Sequence, residues 1–261
     1  MSTSLLEPTP CDPPSGPVSP PSPSDLLILI PAHNEAATVG AIVREVRRHW
    51  GYPVVVIDDC STDDTAEVAY AAGATLLSLP LQLGAWGALQ TGLRYAERNG
   101  YRLAVTLDAD GQHEPTQIGT LLAPLLAGQA NVVIGAFPSR ASSARRLAWR
   151  YFRWLTGLGL EDITSGFRAY DERAIRLLAS REATLLDYQD VGVLLTLHRH
   201  GLRVIEKPVT MQPRLQGVSR VFKSWWTVGN YMLQTSLLCL ARIGHGRARD
   251  RRTHSEASGW N

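Results

Sequence analysis

The chain has 261 residues, of which 44% are hydrophobic, and a formal net charge of +2 at pH 7. This length suits one large α/β domain with a sizeable core, and so small a net charge argues against nucleic acid as a partner. The three cysteines, Cys11, Cys60 and Cys239, lie far apart and show no CxxC spacing. That pattern argues against a disulfide framework and a zinc site, and it favours the reducing environment of the cytoplasm.

The first 24 residues contain eight of the chain's 16 prolines, mixed with serine, threonine and glycine. Such a segment buries too little apolar surface to offset the entropy of ordering, so we predict a disordered leader over residues 1–24. The same residues lack the basic start and the apolar stretch of a secretory signal peptide.

Short apolar runs and helical stripes alternate over residues 25–134. The apolar runs predict strands at 26–30, 54–57, 74–79, 103–107 and 132–134. Helices are predicted at 39–50, from 61 or 62 to 72, at 86–98 and at 115–126, the first with Asn34 or Thr38 as its cap. This alternation predicts a doubly wound, mostly parallel sheet flanked by helices and joined by right-handed crossovers.

Polar side chains follow the predicted strands at their carboxyl ends, where open α/β sheets bind their ligands. Asp108 and Asp110 follow the fourth predicted strand, and Asp58 and Asp59 follow the second. Hard carboxylate oxygens favour Mg²⁺ or Mn²⁺, which in turn bind phosphate oxygens, whereas the alternative for each pair is a cap on a helix. No GxGxxG follows the first strand and no GxxxxGK[ST] occurs, which argues against a dinucleotide or P-loop site.

Five short motifs occur in order along the chain: PAHNE at 31–35, DDCS at 58–61, GAWGALQTG at 84–92, DADGQ at 108–112 and TSGFR at 164–168. In this order and spacing the chain resembles the family 2 glycosyltransferases with a GT-A fold, and in particular the dolichyl- and polyprenyl-phosphate sugar synthases. A sixth stretch, RLQGVSR at 214–220, resembles the RxxGxSK loop of that family, with Arg220 in place of the lysine. The resemblance extends over residues 25–223, which we interpret as the glycosyltransferase domain.

The resemblance implies a role for each matching residue. Mg²⁺ or Mn²⁺ would be held by Asp108, Asp110 and Gln112. The nucleotide sugar would be bound by Pro31, Ala32, Asn34, Glu35, Asp58, Asp59, Asp108, Ala109, Arg214 and Arg220. Catalysis would involve Asp110, Arg168 and Asp190, with Asp190 as the general base where the acceptor is a hydroxyl. His113 is interpreted as a loop residue, because a hard cation prefers oxygen donors.

Two of the implied catalytic residues have alternative interpretations. Arg168 is also explained by a structural ion pair, and Asp190 by a negative charge at a helix N-terminus. The resemblance implies an inverting transfer of a sugar from a UDP- or GDP-linked donor to a polyprenyl-phosphate or glycolipid acceptor at the membrane. The alternatives are transfer to a saccharide hydroxyl in cell-envelope glycan synthesis, and a non-catalytic nucleotide-sugar-binding subunit that recruits membrane partners.

Residues 224–241 carry no charge and include Trp225, Trp226 and Tyr231, which favour the boundary between water and lipid. Asn230 and Gln234 make this stretch a poor transmembrane helix. We predict an amphipathic, interfacial helix at 224–243 followed by a basic, flexible tail at 244–261, which would hold the protein on the cytoplasmic face of the membrane. The alternative is a helix that packs on the domain or on the other subunit of a homo-oligomer.

Overall fold

The computed structural model describes residues 21–137, 150, 151, 153, 159–184 and 191–212. The strands are β1 (Leu26–Ala32), β2 (Val54–Asp58), β3 (Thr75–Ser78), β4 (Leu103–Thr106), β5 (Val132–Ala136), β6 (Arg168–Asp171) and β7 (Val204–Pro208). The helices are α1 (Val39–Trp50), α2 (Thr65–Ala71), α3 (Gly84–Arg98), α4 (Ile118–Leu126), α5 (Glu172–Ala179), α6 (Arg181–Thr184) and α7 (Val191–Arg199). A short 3₁₀ turn, Pro115–Gln117, precedes α4.

The described strands form one seven-stranded sheet in the order β3-β2-β1-β4-β6-β5-β7. All neighbouring pairs are parallel except the two that involve β6, which runs antiparallel to β4 and to β5. The prediction of a doubly wound, mostly parallel sheet is therefore confirmed. The reversed strand β6 and the last strand β7 are additions to the five strands predicted from the sequence.

Helices cover both faces of the sheet and create two separate cores. Alternate strand residues such as Leu27 and Leu29 pack with α3, α5 and α7. Their neighbours Leu26 and Ile28 point to the opposite face and pack with α1, α2 and α4. Burial on both faces explains why strands such as β1 are continuous apolar runs, since each fully buried aliphatic side chain contributes about 1.5–3 kcal/mol.

The start of the second helix differs from the sequence-based expectation. The second helix begins at Thr65, so the predicted start at Ser61 or Thr62 is wrong. Those two residues instead form hydrogen bonds with Asn34 across the neighbouring loop. Thr38 does immediately precede α1, but its side chain makes no capping hydrogen bond.

The carboxyl ends of β1, β2 and β4 lie at one edge of the sheet, together with the amino end of the reversed strand β6. Ala32 at the end of β1 is paired with Asp58 at the end of β2. Near the end of β4, Thr106 is paired with Arg168, the first residue of β6. The sheet therefore gathers four of the five motif segments at a single edge. Among the helices that the structure describes, none is long and apolar enough to cross a membrane.

Candidate active site

The loops that follow β1 and β2 are joined by hydrogen bonds. The backbone N–H of Asn34 donates to Ser61 Oγ at 2.9 Å, and the side-chain oxygen Oδ1 of Asn34 accepts from the N–H of Thr62 at 2.8 Å. The N–H of Glu35 donates to Thr65 Oγ1 at 2.8 Å. The loops that contain PAHNE and DDCS are thus held against each other at the carboxyl ends of β1 and β2.

Asp58 is the last residue of β2 and Asp59 follows it, and both are buried. Oδ1 of Asp58 accepts from the N–H of Ser61 at 3.2 Å. Oδ1 of Asp59 accepts from the N–H of Leu83 at 2.6 Å, and its Oδ2 accepts from the N–H of Gly84 at 2.9 Å, where α3 begins. A carboxylate at this position stabilises the helix N-terminus. Asp59 therefore has a structural function in α3, and its contact with a nucleotide stays a prediction.

The DADGQ segment leaves β4 and turns sharply at the same edge. Asp110 is buried, and its Oδ1 accepts from the N–H of Gln112 at 3.1 Å. Gly111 between them has φ = 77°, a left-handed conformation that favours glycine. The carbonyl of Ala109 accepts a 2.6 Å hydrogen bond from Thr38 Oγ1. The start of α1 and the acidic segment are consequently held together by a direct bond.

Asp108 lies between a histidine ring and a glycine. Its side chain is 42% exposed, and its Oδ2 is 2.9 Å from Nε2 of His113, whose side chain is 1% exposed. On the other side, a Cβ atom at Gly166 would lie 2.1 Å from Asp108 Oδ1, so no larger residue fits there with the carboxylate in this position. Thr106 Oγ1 fixes the glycine by donating to its carbonyl at 2.6 Å.

Arg168, the first residue of β6, is fully buried. Its Nε donates to the carbonyl of Ser165, and its Nη2 donates to the carbonyl of Ile163, each at 2.8 Å. A buried guanidinium requires such acceptors because an unpaired charge would be costly. These contacts stabilise the backbone beside Gly166, and direct participation of Arg168 in catalysis stays a prediction.

The carboxylates of Glu206 and Asp162 fix the segment that precedes TSGFR. The Glu206 carboxylate accepts from the backbone N–H groups of Glu161 and Asp162, each at 2.7 Å. Asp162, which is fully buried, accepts from the N–H of Phe137 through Oδ2 at 3.2 Å. Burial raises the pKa of the Glu206 carboxyl above the usual glutamate value. The loop is therefore attached to both β5 and β7.

The segment at 209–212 pairs with the end of the DADGQ turn. The N–H of Gln212 donates to the carbonyl of Gln112 at 2.9 Å, and His113 forms an antiparallel bridge with Met211. Glu114 accepts from Thr210 Oγ1 at 2.9 Å and from Gln212 Nε2 at 2.6 Å. The backbone of Gln112 is consequently fixed on two sides, by this pairing and by Asp110.

The oxygen donors at this edge suit a hard divalent cation. Within the described residues, no three His, Cys, Asp or Glu side chains cluster closely enough to hold a metal ion by themselves. Mg²⁺ is ordinarily bound by one or two carboxylates, water and substrate phosphates, and not by a complete protein cage. The half-exposed Asp108, the neighbouring Asp110 and the amide of Gln112 fit such an incomplete site.

The structure brings together most of the predicted site residues. Pro31, Ala32, Asn34, Glu35, Asp58, Asp108, Ala109, Asp110 and Gln112 all lie at the carboxyl edge of the sheet. Asp190, Arg214 and Arg220 lie outside the described residues, as do residues 1–20 and 213–261. Sequence reasoning gave Thr38 only a capping role and His113 none, although both contact the acidic segment.

A doubly wound sheet that gathers carboxylates and amides at the carboxyl ends of its strands has the general form of a ligand site in α/β proteins. The family model described as "Glycosyl transferase family 2" matches residues 27–179, more than half of the chain. The chain therefore belongs to glycosyl transferase family 2.

Curated relatives match most of the chain. A polyprenol monophosphomannose synthase of Mycolicibacterium smegmatis is 29% identical over 215 residues, covering 75% of this chain and 80% of the relative. An undecaprenyl-phosphate mannosyltransferase of Micrococcus luteus is 31% identical over 214 residues, covering 75% of this chain and 87% of the relative.

The fold also resembles that of solved structures. The glucosyl-3-phosphoglycerate synthase of Mycobacterium tuberculosis in complex with phosphoglyceric acid has a TM-score of 0.64 at 23% identity, with 84% of this chain and 80% of that chain covered. The same enzyme with Mn²⁺, uridine diphosphate and phosphoglyceric acid has a TM-score of 0.62 at 22% identity, with 82% and 76% covered. The fold of this chain is the GT-A fold.

Proposed function

We propose that this protein transfers a sugar from a UDP- or GDP-linked donor to a polyprenyl phosphate, with inversion at the anomeric carbon. The observation that carries the proposal is the position of Asp108 and Asp110 at the carboxyl end of β4, beside the joined PAHNE and DDCS loops. The names of two relatives, a polyprenol monophosphomannose synthase and an undecaprenyl-phosphate mannosyltransferase, support this acceptor class. Mannose is therefore the first sugar to test.

The reaction is a single displacement. An oxygen of the acceptor phosphate forms a bond to the anomeric carbon, and the bond from that carbon to the donor diphosphate breaks. The electron pair of the broken bond leaves with the nucleoside diphosphate. Because the acceptor phosphate is already an anion, no side chain must remove a proton from it.

Asp108, Asp110 and Gln112 are the residues that would hold Mg²⁺ or Mn²⁺. When bound, the cation neutralises the negative charge that develops on the departing diphosphate. Thr38 orients the acidic segment through the carbonyl of Ala109, and the Gln112 backbone is held by Asp110. A glucosyl-3-phosphoglycerate synthase of similar fold has been crystallised with Mn²⁺ and uridine diphosphate, which supports the choice of cation.

Asp110→Asn tests the site. The variant should lose several kcal/mol of transition-state stabilisation, a drop of roughly 10²–10⁴-fold in kcat/KM. Asp25→Asn is the matched control, because it removes the same charge next to the amino end of β1, at the opposite edge of the sheet. The assay follows transfer from radiolabelled GDP- and UDP-sugars to a short polyprenyl phosphate with Mg²⁺ or Mn²⁺. An Asp110→Asn variant as active as the control would refute the site assignment.

Asp190→Asn distinguishes the two acceptor classes. With polyprenyl phosphate the rate should fall only modestly, because the nucleophile needs no base. With a saccharide hydroxyl, loss of a general base should cost on the order of 10²–10⁴-fold. A collapse of transfer to polyprenyl phosphate in this variant would contradict the proposed mechanism.

We also propose that residues 224–261 attach the protein to the membrane surface, as their aromatic and basic sequence suggests. Truncation after Lys223 should weaken sedimentation with anionic vesicles while nucleotide-sugar binding is retained. High salt should weaken the attachment of the full chain only in part, because screening affects the arginines and not the apolar contacts. Unchanged sedimentation together with a lowered melting temperature would instead show that this segment packs on the domain.

A further inference from the structure

The imidazole of His113 is enclosed under the acidic segment. Its side chain is 1% exposed, and its ring lies against that of Phe167 with centroids 5.2 Å apart and planes tilted by 37°. Nε2 is 2.9 Å from Asp108 Oδ2. Nδ1 is buried without a hydrogen-bond partner among the residues that the structure describes.

The surroundings of the ring determine which nitrogen of the neutral form carries the hydrogen. A hydrogen on Nδ1 would leave a buried N–H unpaired and would turn the lone pair of Nε2 toward the carboxylate of Asp108. A hydrogen on Nε2 makes a hydrogen bond to Asp108 and leaves only one acceptor lone pair unpaired. Because unpaired buried N–H groups are the rarer and costlier case, we assign the hydrogen to Nε2. His113 is therefore a hydrogen-bond donor to Asp108.

The opposite side of the carboxylate is equally constrained. The ideal Cβ position of Gly166 lies 2.1 Å from Asp108 Oδ1, so the carboxylate occupies the space that a side chain would fill. Thr106 donates to the Gly166 carbonyl, and Arg168 donates to the carbonyls of Ile163 and Ser165. Asp108 is thus held between a buried ring and a fixed backbone, although its side chain is 42% exposed.

We infer that His113 is a positioning residue that orients the Asp108 carboxylate for the divalent cation. This inference rests on the proposed function. A half-exposed aspartate otherwise rotates about its terminal torsion, which broadens the directions in which its oxygens point. Hydrogen-bond donors behind a metal-binding carboxylate restrict that rotation, and their loss typically costs 10–100-fold in metal affinity or activity. His113 acts through Asp108 and needs no contact with the cation or the sugar.

Three substitutions of His113 separate the hydrogen bond from the packing of the ring. His113→Phe and His113→Leu both remove the donor, and the first also keeps an aromatic ring against Phe167. His113→Gln replaces Nε2 by an amide N–H₂ at a similar distance from the backbone, so it restores a donor. Phe167→Leu is the matched control, because it disturbs the ring contact while leaving the hydrogen bond in place.

Binding of Mn²⁺ is measured by electron paramagnetic resonance on the full chain in the presence of UDP or of GDP, and melting temperatures are measured without metal. His113→Phe and His113→Leu should raise the Kd of Mn²⁺ by about tenfold or more, and His113→Gln should recover most of that loss. Phe167→Leu should lower the melting temperature and leave the Kd unchanged. A shift of the Kd in Phe167→Leu as large as that in His113→Phe would show that packing alone is responsible, and would overturn the inference.

The same measurements separate this inference from the proposed function. If the wild-type protein fails to bind Mn²⁺ both in the presence of UDP and in the presence of GDP, the proposed function fails, and the inference fails with it. If the wild-type protein binds Mn²⁺ and the donor-free variants bind it equally well or more tightly, only the positioning role is overturned. In that second case Asp108 would bind the cation without assistance from His113.

Discussion

The hydroxyl of Thr38 connects the start of α1 to the acidic segment, so its removal tests how the site is held together. Thr38 is buried, and Oγ1 lies 2.6 Å from the carbonyl oxygen of Ala109. Contacts of the same hydroxyl with Glu35 are longer, at 3.2 and 3.4 Å. Since a hydroxyl has a single hydrogen, the shortest contact identifies the acceptor as Ala109. Thr38→Val removes this hydrogen bond and preserves the shape of the side chain.

The expected cost follows from the burial of the carbonyl that loses its donor. A buried acceptor without a partner costs about 1–3 kcal/mol. For a domain of this size, that loss lowers the melting temperature by about 2–12 °C. Because Ala109 lies between Asp108 and Asp110, a displaced carbonyl also moves both carboxylates. Misplacement of about 1 Å can cost up to 10²-fold in rate, so kcat/KM should fall along with stability.

Thermal unfolding, measured without metal, reports the loss of stability. Sugar transfer, measured with Mn²⁺, reports the loss of activity. Thr38→Ser is the control, because it keeps the hydroxyl and loses only a methyl group, at a cost of about 0.8 kcal/mol. Thr38→Val should therefore be both less stable and less active than Thr38→Ser. If Thr38→Val melts at the wild-type temperature and transfers sugar at the wild-type rate, then the bond to Ala109 does not support the site.

Two further predictions concern residues around the site. Gly166→Ala should weaken Mn²⁺ binding in the presence of nucleotide by roughly tenfold, because the new methyl group displaces the Asp108 carboxylate, and an unchanged Kd would contradict this. The pKa of Glu206 is raised by burial, so the folded state binds its proton more tightly than the unfolded chain does. Its contribution to the free energy of unfolding is therefore largest below the usual glutamate pKa and declines as pH rises through the folded pKa. Urea unfolding across this pH range should show the wild-type protein losing stability relative to Glu206→Gln, and a constant difference would refute the linkage.

The strands β1, β2 and β5 were predictable from the sequence, and β6 was not. The strands β1, β2 and β5 are buried on both faces, which requires the continuous apolar runs that the sequence displays. β6 is also buried, but its sequence is Arg168-Ala169-Tyr170-Asp171, with a charge at each end. The burial of Arg168 depends on carbonyls of the preceding loop, a tertiary contact that leaves no periodic signal in the sequence.

The same distinction applies to the site. Asp108 and Asp110 could be recognised as candidate site residues from the sequence, because the hydrophobic pattern shows where a strand ends and parallel strands bring their carboxyl ends together. The functions of Asp59 and His113 depend on partners 24 and five residues away, respectively. The alternative to nucleotide binding was that Asp59 caps a helix, and it does so. The capped helix is α3, however, and not α2, which follows Asp59 in sequence. Only the folded structure identifies these partners.

The reversed strand β6 explains why one carboxylate is constrained from two directions. In a fully parallel sheet, this edge would receive only the carboxyl ends of strands and the loops that leave them. Because β6 runs antiparallel to β4, the chain arrives here at its amino end, and the backbone of Gly166 lies directly against Asp108. The hydrogen bonds of Thr106 and Arg168 attach that backbone to the sheet, so we expect any displacement of residues 163–166 to change the orientation of Asp108. The sheet topology thereby couples the TSGFR loop to the proposed cation site through contacts on one carboxylate.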